Sequence, residues 1–100
     1  MMAMGALPVP DPVPTRWAGQ EDAAVLGGLA QQDEAAMREL HRRYAPALYA
    51  LAHRAQVIDP DRCVQDAFMA IWRHAECHSR SRFDGRTWML ILAHQSLRTG

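Results

Sequence analysis

Apolar residues recur at steps of three or four through residues 34–56: Met37, Leu40, Tyr44, Leu48, Leu51 and Ala55. A 3.6-residue turn brings such positions onto one side, so the spacing predicts a long helix with one buried stripe. Arg38, Arg42, Arg43 and Arg54 fall largely off that stripe. Pro46 is expected to kink the helix near Arg42 and Arg43, because proline withholds a backbone hydrogen bond. Asp59-Pro60 marks a restart, with an aspartate to cap and a proline at the first helical position. The helix it opens runs from Pro60 to about Glu76, with Val64, Ala67, Phe68, Ile71 and Ala75 inward and Asp61, Arg62, Gln65, Asp66, Met69 and Arg73 on or beside the outer face. Residues 77–84 have no period and predict a loop. Asp84 can cap a last helix from Gly85 to about Leu97, whose WMLILA run is apolar almost all round, as in a central helix. Trp72 and Trp88 both fall on apolar stripes, which assigns them to the core.

The beginning of the chain is patterned more weakly. Asp22 can cap a short helix through Gln31 with Val25, Leu26 and Leu29 on one face. Gly27-Gly28 weakens it by about 1 kcal/mol per glycine, so this helix is expected to form only against a partner surface. Residues 1–18 form a proline-rich tail, extended or disordered, and 19–100 a single domain. There is no repeat and no strand-like alternation of useful length. The fold expected is all-α: a compact bundle of three main helices plus a short N-terminal one.

Composition changes this picture in two places. Formal net charge is zero, but residues 1–37 carry one arginine against five acids while 38–100 carry ten arginines against six, with all five histidines. That asymmetry favours an anionic partner for the second part. Every basic residue among the eleven is arginine, which suits bidentate phosphate contacts, although a GC-rich genome gives the same bias. Cys63 and Cys77 are too few for a disulfide scaffold, and on one helix they lie about 21 Å apart. A reducing cytoplasm fits. Pro8, Pro10, Pro12 and Pro14 interrupt the N-terminal apolar run, which matches neither a signal peptide nor a membrane span.

Enzyme chemistry finds no constellation here: no Ser/His/Asp order, no phosphate-cradling glycine loop and no carboxylate pair in an evident pocket. No cofactor is expected. His74, Cys77 and His78 cluster, with Cys63 and His53 elsewhere, but structural zinc wants four ligands in two close pairs, so no metal is assigned.

Three strings in order, LHRRYAPALYALAHR, then VQDAF with Ile71-Trp72, then TWMLILAH, resemble region 2 of a bacterial sigma factor of the extracytoplasmic-function (ECF) class. Leu40, Tyr44-Ala45-Pro46, Leu48-Tyr49 and Ala52 match its first pattern, Val64 to Phe68 and Trp72 its second, and Trp88-Met89 with Leu92-Ala93-His94 its third. The resemblance covers roughly residues 20–97. It departs where an acidic pair is usual and Asp61-Arg62 stands, and where Phe83 replaces a loop glycine. The family's last helix also runs on through an aspartate and an arginine, and its upstream promoter element is read by a second domain that is not within these residues.

What the resemblance implies is concrete. The helix bearing Asp61, Arg62, Gln65, Asp66 and Met69 would dock on the clamp helices of the RNA polymerase β′ subunit. The loop and last helix would meet the melted −10 element of promoter DNA. Arg80, Arg82 and Arg86, with Arg73 and His94 behind them, would contact phosphates, and His78 or Phe83 would stack on a base. In that family an anti-sigma factor often covers these same surfaces. The alternatives are a helical interaction module that keeps the scaffold without promoter function, and a metal- or redox-responsive regulator using the Cys/His cluster.

Overall fold

The computed structural model describes residues 16–99 of the chain, without the side chain of Thr99. These residues fold into four helices, α1 (Asp22–Ala30), α2 (Glu34–Arg54), α3 (Pro60–His74) and α4 (Gly85–Thr99), with a 3₁₀ segment, Ala75–Arg80, between α3 and α4. No strand occurs among the described residues. No helix among them is long and apolar enough to cross a membrane. The all-α expectation of three long helices and a short leading one therefore holds. Of the tail expected over residues 1–18, residues 1–15 lie outside the described residues, and Arg16, Trp17 and Ala18 sit in a turn leading to α1.

α3 is the most plainly dictated element. Asp59 accepts a hydrogen bond from the Arg62 backbone N–H at 3.2 Å and Pro60 occupies the first turn, as the Asp-Pro pair predicts. Its inward residues Val64, Ala67, Phe68, Ile71 and the following Ala75 are all buried, Phe68 and Ile71 completely. They pack between α2 and α4. At about 25 cal/mol per Å², full burial of a side chain such as Phe68 is worth roughly 2–3 kcal/mol.

α2 departs in detail. Met37, Leu40, Tyr44 and Leu48 are buried as expected, but the buried face continues to Ala52, while Leu51 is half-buried and Ala55 is the exposed C-cap. Steps of four from Leu40 to Ala52 keep facing the core, and the step of three from Leu48 to Leu51 rotates the expected stripe off it. The helix is a single α-helix through the exposed Pro46. α1 and α2 both end in Schellman motifs. Asp33 N–H reaches Gly28 O (3.1 Å) and Gln32 N–H reaches Leu29 O (2.9 Å); Val57 N–H reaches Ala52 O (3.3 Å) and Gln56 N–H reaches His53 O (3.1 Å). The left-handed residues are Gln32 (φ 67°) and Gln56 (φ 57°), positions that glycine or asparagine usually fills.

Two expectations need correction. Asp22 does not cap α1: Glu21 is the N-cap, without a side-chain bond, and Asp22 is the first helical residue, its carboxylate turned to α2. The partner surface that α1 needs is in the same chain. Val25, Leu26 and Leu29 are fully buried against α2 and the 3₁₀ segment. Residues 77–84 are also more regular than a loop, since α3 stops at His74 and the 3₁₀ turns run on to Arg80. Ser79 Oγ donates to Glu76 O (3.1 Å) and Ser81 N–H to His78 O (2.9 Å), contacts that an apolar periodicity does not reveal.

Candidate nucleic-acid interface

The exposed side of α3 carries Asp61, Arg62, Gln65, Asp66, Met69 and Arg73, all solvent-facing as the pattern predicted. Asp61 is not free-standing: Tyr49 of α2 donates its phenol to Asp61 Oδ1 at 2.8 Å, and this bond raises the Tyr49 pKa. Met69 is 41% exposed in the middle of a polar face. With Trp72, Arg73 and Gln32 it lines a shallow cleft of about 390 Å³. Arg73 therefore belongs to the helix face rather than to the loop group.

The loop group is held by its backbone. His78 Nε2 donates to Phe83 O at 3.1 Å, since a carbonyl can only accept, and its ring meets Trp88 edge-on at 5.6 Å. Ser81 Oγ accepts from Phe83 N–H at 3.1 Å. Asp84 then caps α4 by accepting from Thr87 N–H at 2.8 Å, and that bond holds its carboxyl below the usual range. Around this frame Arg80, Arg82 and Arg86 are exposed, and Phe83 is 45% exposed. Phe83 is thus not packed in the core. His78 is turned inward onto Trp88, which is 8% exposed, whereas Trp72 is half-buried.

Among the described residues, ion pairs engage Arg16, Arg42 and Arg43, and none engages Arg73, Arg80, Arg82 or Arg86. Arg80 Nη2 donates to Cys77 Sγ at 3.7 Å. Exposed cations without a carboxylate partner can bind phosphate without first breaking an internal pair. His94 is exposed and donates Nδ1–H to Leu90 O at 2.8 Å, with eight residues, or about 12 Å of helix, separating it from Arg86. It is peripheral to the loop group.

Sequence reasoning missed the device that fixes α1 beside this loop. Glu39, 1% exposed, accepts from Arg42 Nε (3.2 Å) and Nη2 (2.5 Å) and from Arg43 Nε (2.6 Å). Arg43 goes on to Asp22 Oδ1 (2.8 Å) and to the carbonyls of Trp17 (2.9 Å), Ala18 (3.3 Å) and Gln20 (2.7 Å). Asp22 also accepts from the Tyr44 hydroxyl, and burial together with that bond pushes the phenol up to about 12. Bonds from Arg42, against the opposing effect of burial, and then those from Arg43 keep the Glu39 carboxyl below its ordinary value. A cleft of about 440 Å³ between Arg43, Asp22, Asp84 and Arg86 joins this hub to the start of α4. There the helices touch so closely that a Cβ on Gly85 would lie 2.7 Å from Asp22 Cβ. The signal available in sequence was a glutamate three and four residues before paired arginines.

Among the described residues no group of three or more His, Cys, Asp or Glu side chains is placed to hold a metal ion. Cys63 is a buried free thiol and Cys77 a partly buried one. Comparison of the chain with protein-family models, with curated proteins and with solved structures gives no match.

Proposed function

We propose that the chain is a sigma factor region 2 unit of the ECF type, which binds core RNA polymerase through α3 and holds the promoter −10 element as an open strand with the 78–86 segment. The observation that carries this reading is the Phe83 turn. A half-exposed aromatic residue sits on a backbone pinned by His78 and Ser81, flanked by Arg80, Arg82 and Arg86, none of which makes an ion pair among the described residues, although Asp84 lies near enough to Arg86 to feel its charge. Cations along a strand supply salt-dependent affinity, and an aromatic face supplies stacking to an unpaired base. On α3, Asp61, Gln65, Asp66 and Met69 offer a mixed polar and apolar face suited to a partner helix, with the acids serving orientation and on-rate. The unit performs no chemistry in this reading and needs no cofactor. An anti-sigma factor would act by covering the same two surfaces.

The test is binding of single-stranded −10-like oligonucleotides over a salt series, with Arg80, Arg82 and Arg86 changed to alanine in turn. Each lost phosphate contact flattens the logarithmic salt dependence by about one ion. No measurable oligonucleotide binding by the unaltered chain ends the promoter reading.

The exposed Met69, with the cleft it shares with Trp72, favours a second reading, a helical interaction module without promoter function. Capture by the β′ clamp helices belongs to the first reading, and failure to bind them favours the second.

A further inference from the structure

Hydrophobic burial does not shape the turn between the 3₁₀ segment and α4. None of residues 79–84 is buried, and Phe83 lies outside the core cluster. The turn is held instead by hydrogen bonds among its own groups. Ser81 N–H donates to His78 O at 2.9 Å, Phe83 N–H to Ser81 Oγ at 3.1 Å, and Ser81 Oγ to Phe83 O at 3.4 Å. Local bonds at an exposed turn compete with water, so by themselves they leave it free to open. His78 adds a tie of another kind. Its Nε2 donates to the same Phe83 carbonyl at 3.1 Å, while its ring stands edge-on to Trp88 with 5.6 Å between centroids. Trp88 is a buried core residue of α4. The imidazole therefore links the Phe83 backbone to the rigid interior of the bundle.

We propose that His78 is the positioning residue of this turn, holding Phe83 through its Nε2–H and its seat on Trp88 so that an unpaired base can stack there. The proposal rests on the reading of the turn as the strand-binding site, and it separates the base contact from the phosphate contacts. The amide and carbonyl of Phe83 are both engaged within the turn, so its ring is what this residue can offer a partner. A ring on an unfixed turn must be ordered at each encounter, and fixing it beforehand leaves more of the stacking energy as affinity. The reach of the donor matters as well as its presence. Phe83 O can only accept, so Nε2 carries the proton, and glutamine carries an amide N–H at nearly the same reach from Cβ. Asparagine is one carbon shorter and leaves that carbonyl without the bond. Neither change touches Arg80, Arg82 or Arg86, so the phosphates of a strand keep their cations.

The experiment measures binding of a single-stranded −10-like oligonucleotide and of its abasic scan, one base removed at a time. The full chain is compared with His78→Gln, His78→Asn, Phe83→Ala and the double variant His78→Asn/Phe83→Ala. Residues 78 and 83 are not buried, so the variants keep the fold. In the unaltered chain, loss of the base at one position should weaken binding about tenfold or more, the scale of a stacked base. Phe83→Ala removes that penalty, His78→Asn removes most of it, and His78→Gln keeps it. The salt slope is the same in all of them. The double variant binds no more weakly than Phe83→Ala, since His78 acts through residue 83. Equal loss in His78→Gln and His78→Asn overturns the proposal, because packing on Trp88 alone would give that result. So does a base penalty that survives His78→Asn, or losses that add in the double variant. Binding with a flat abasic scan also overturns it while leaving the arginine contacts of the strand reading in place. No binding by the unaltered chain ends both.

Discussion

Glu39 sits where the hydrophobic pattern gives it no standing, beside Leu40 on the long helix, yet it is buried and joins two arginines. Removing one member of a buried charge cluster costs more than the cluster's own net worth, because the remaining charges lose their compensation. Glu39→Ala is therefore expected to destabilise the fold by about 3 kcal/mol in urea unfolding, and Glu39→Gln by less, since an amide still accepts hydrogen bonds. Arg43 keeps Asp22 and three carbonyls in either variant, so the protein remains folded and measurable. His41 supplies a separate test. Its ring stacks on Phe68 at a centroid distance of 4.9 Å, its Nδ1 is buried without a partner, and burial lowers its pKa below 6.5. The unfolded chain then takes up a proton before the folded one does. Its contribution leaves stability level above pH 6.5 and reduces it as pH falls below that value. Urea midpoints measured between pH 7 and 5.5 should fall, and His41→Leu should flatten that slope. The depressed carboxyls of Glu39 and Asp84 act lower: their stabilisation is present above about pH 4.5 and is lost as pH falls through their folded values.

At the scale of elements, what the sequence could show depended on which force fixes each one. α3 was legible almost residue by residue, because Asp59-Pro60 fixes its start and a strict inward stripe fixes its orientation. α1 was legible as an apolar face but not as a stable helix, since its support comes from residues distant in sequence and from the Arg43 hub. The 3₁₀ segment was missed because backbone bonds such as Ser81 N–H to His78 O, with one Ser79 hydroxyl bond to Glu76 O, hold it, and these leave no periodic trace. The ends of α1 and α2 fall within two residues of the expected Gln31 and Gln56, but the motif that closes them was hidden for a different reason. Gln32 and Gln56 occupy left-handed positions where glycine is the usual marker. That departure is itself measurable. Gln56→Gly relieves the left-handed cost of a side chain while adding some unfolded-state entropy. The expected balance is a gain of about 0.5 kcal/mol in thermal or urea unfolding, whereas glycine at Ala52, inside the same helix and fully buried, should destabilise by at least about 1 kcal/mol.

Over the whole molecule, the two candidate surfaces belong to different elements that one core holds in register. The α3 face follows directly from helical periodicity, and its residues were all legible. The loop surface was legible as a set of residue types, but not in its arrangement: only the fold turns His78 inward onto Trp88, leaves Phe83 outside and separates Arg73 and His94 from the arginine group. Two surfaces of this kind should be separable by mutation. Asp66 is exposed on α3 with no ion pair among the described residues, so Asp66→Arg reverses a charge without opening the core. On the reading proposed here it lowers binding to the β′ clamp helices by slowing association, most strongly at low salt, and leaves the oligonucleotide salt slope unchanged. Arg82→Ala does the reverse, lowering the slope by about one ion and leaving clamp binding intact. Because the two sites share no partner, the double variant should show the sum of the two single losses in free energy within about 0.5 kcal/mol. A chain in which Asp66→Arg weakens oligonucleotide binding as much as Arg82→Ala would instead be using one continuous surface, and the division between helix and turn would be wrong.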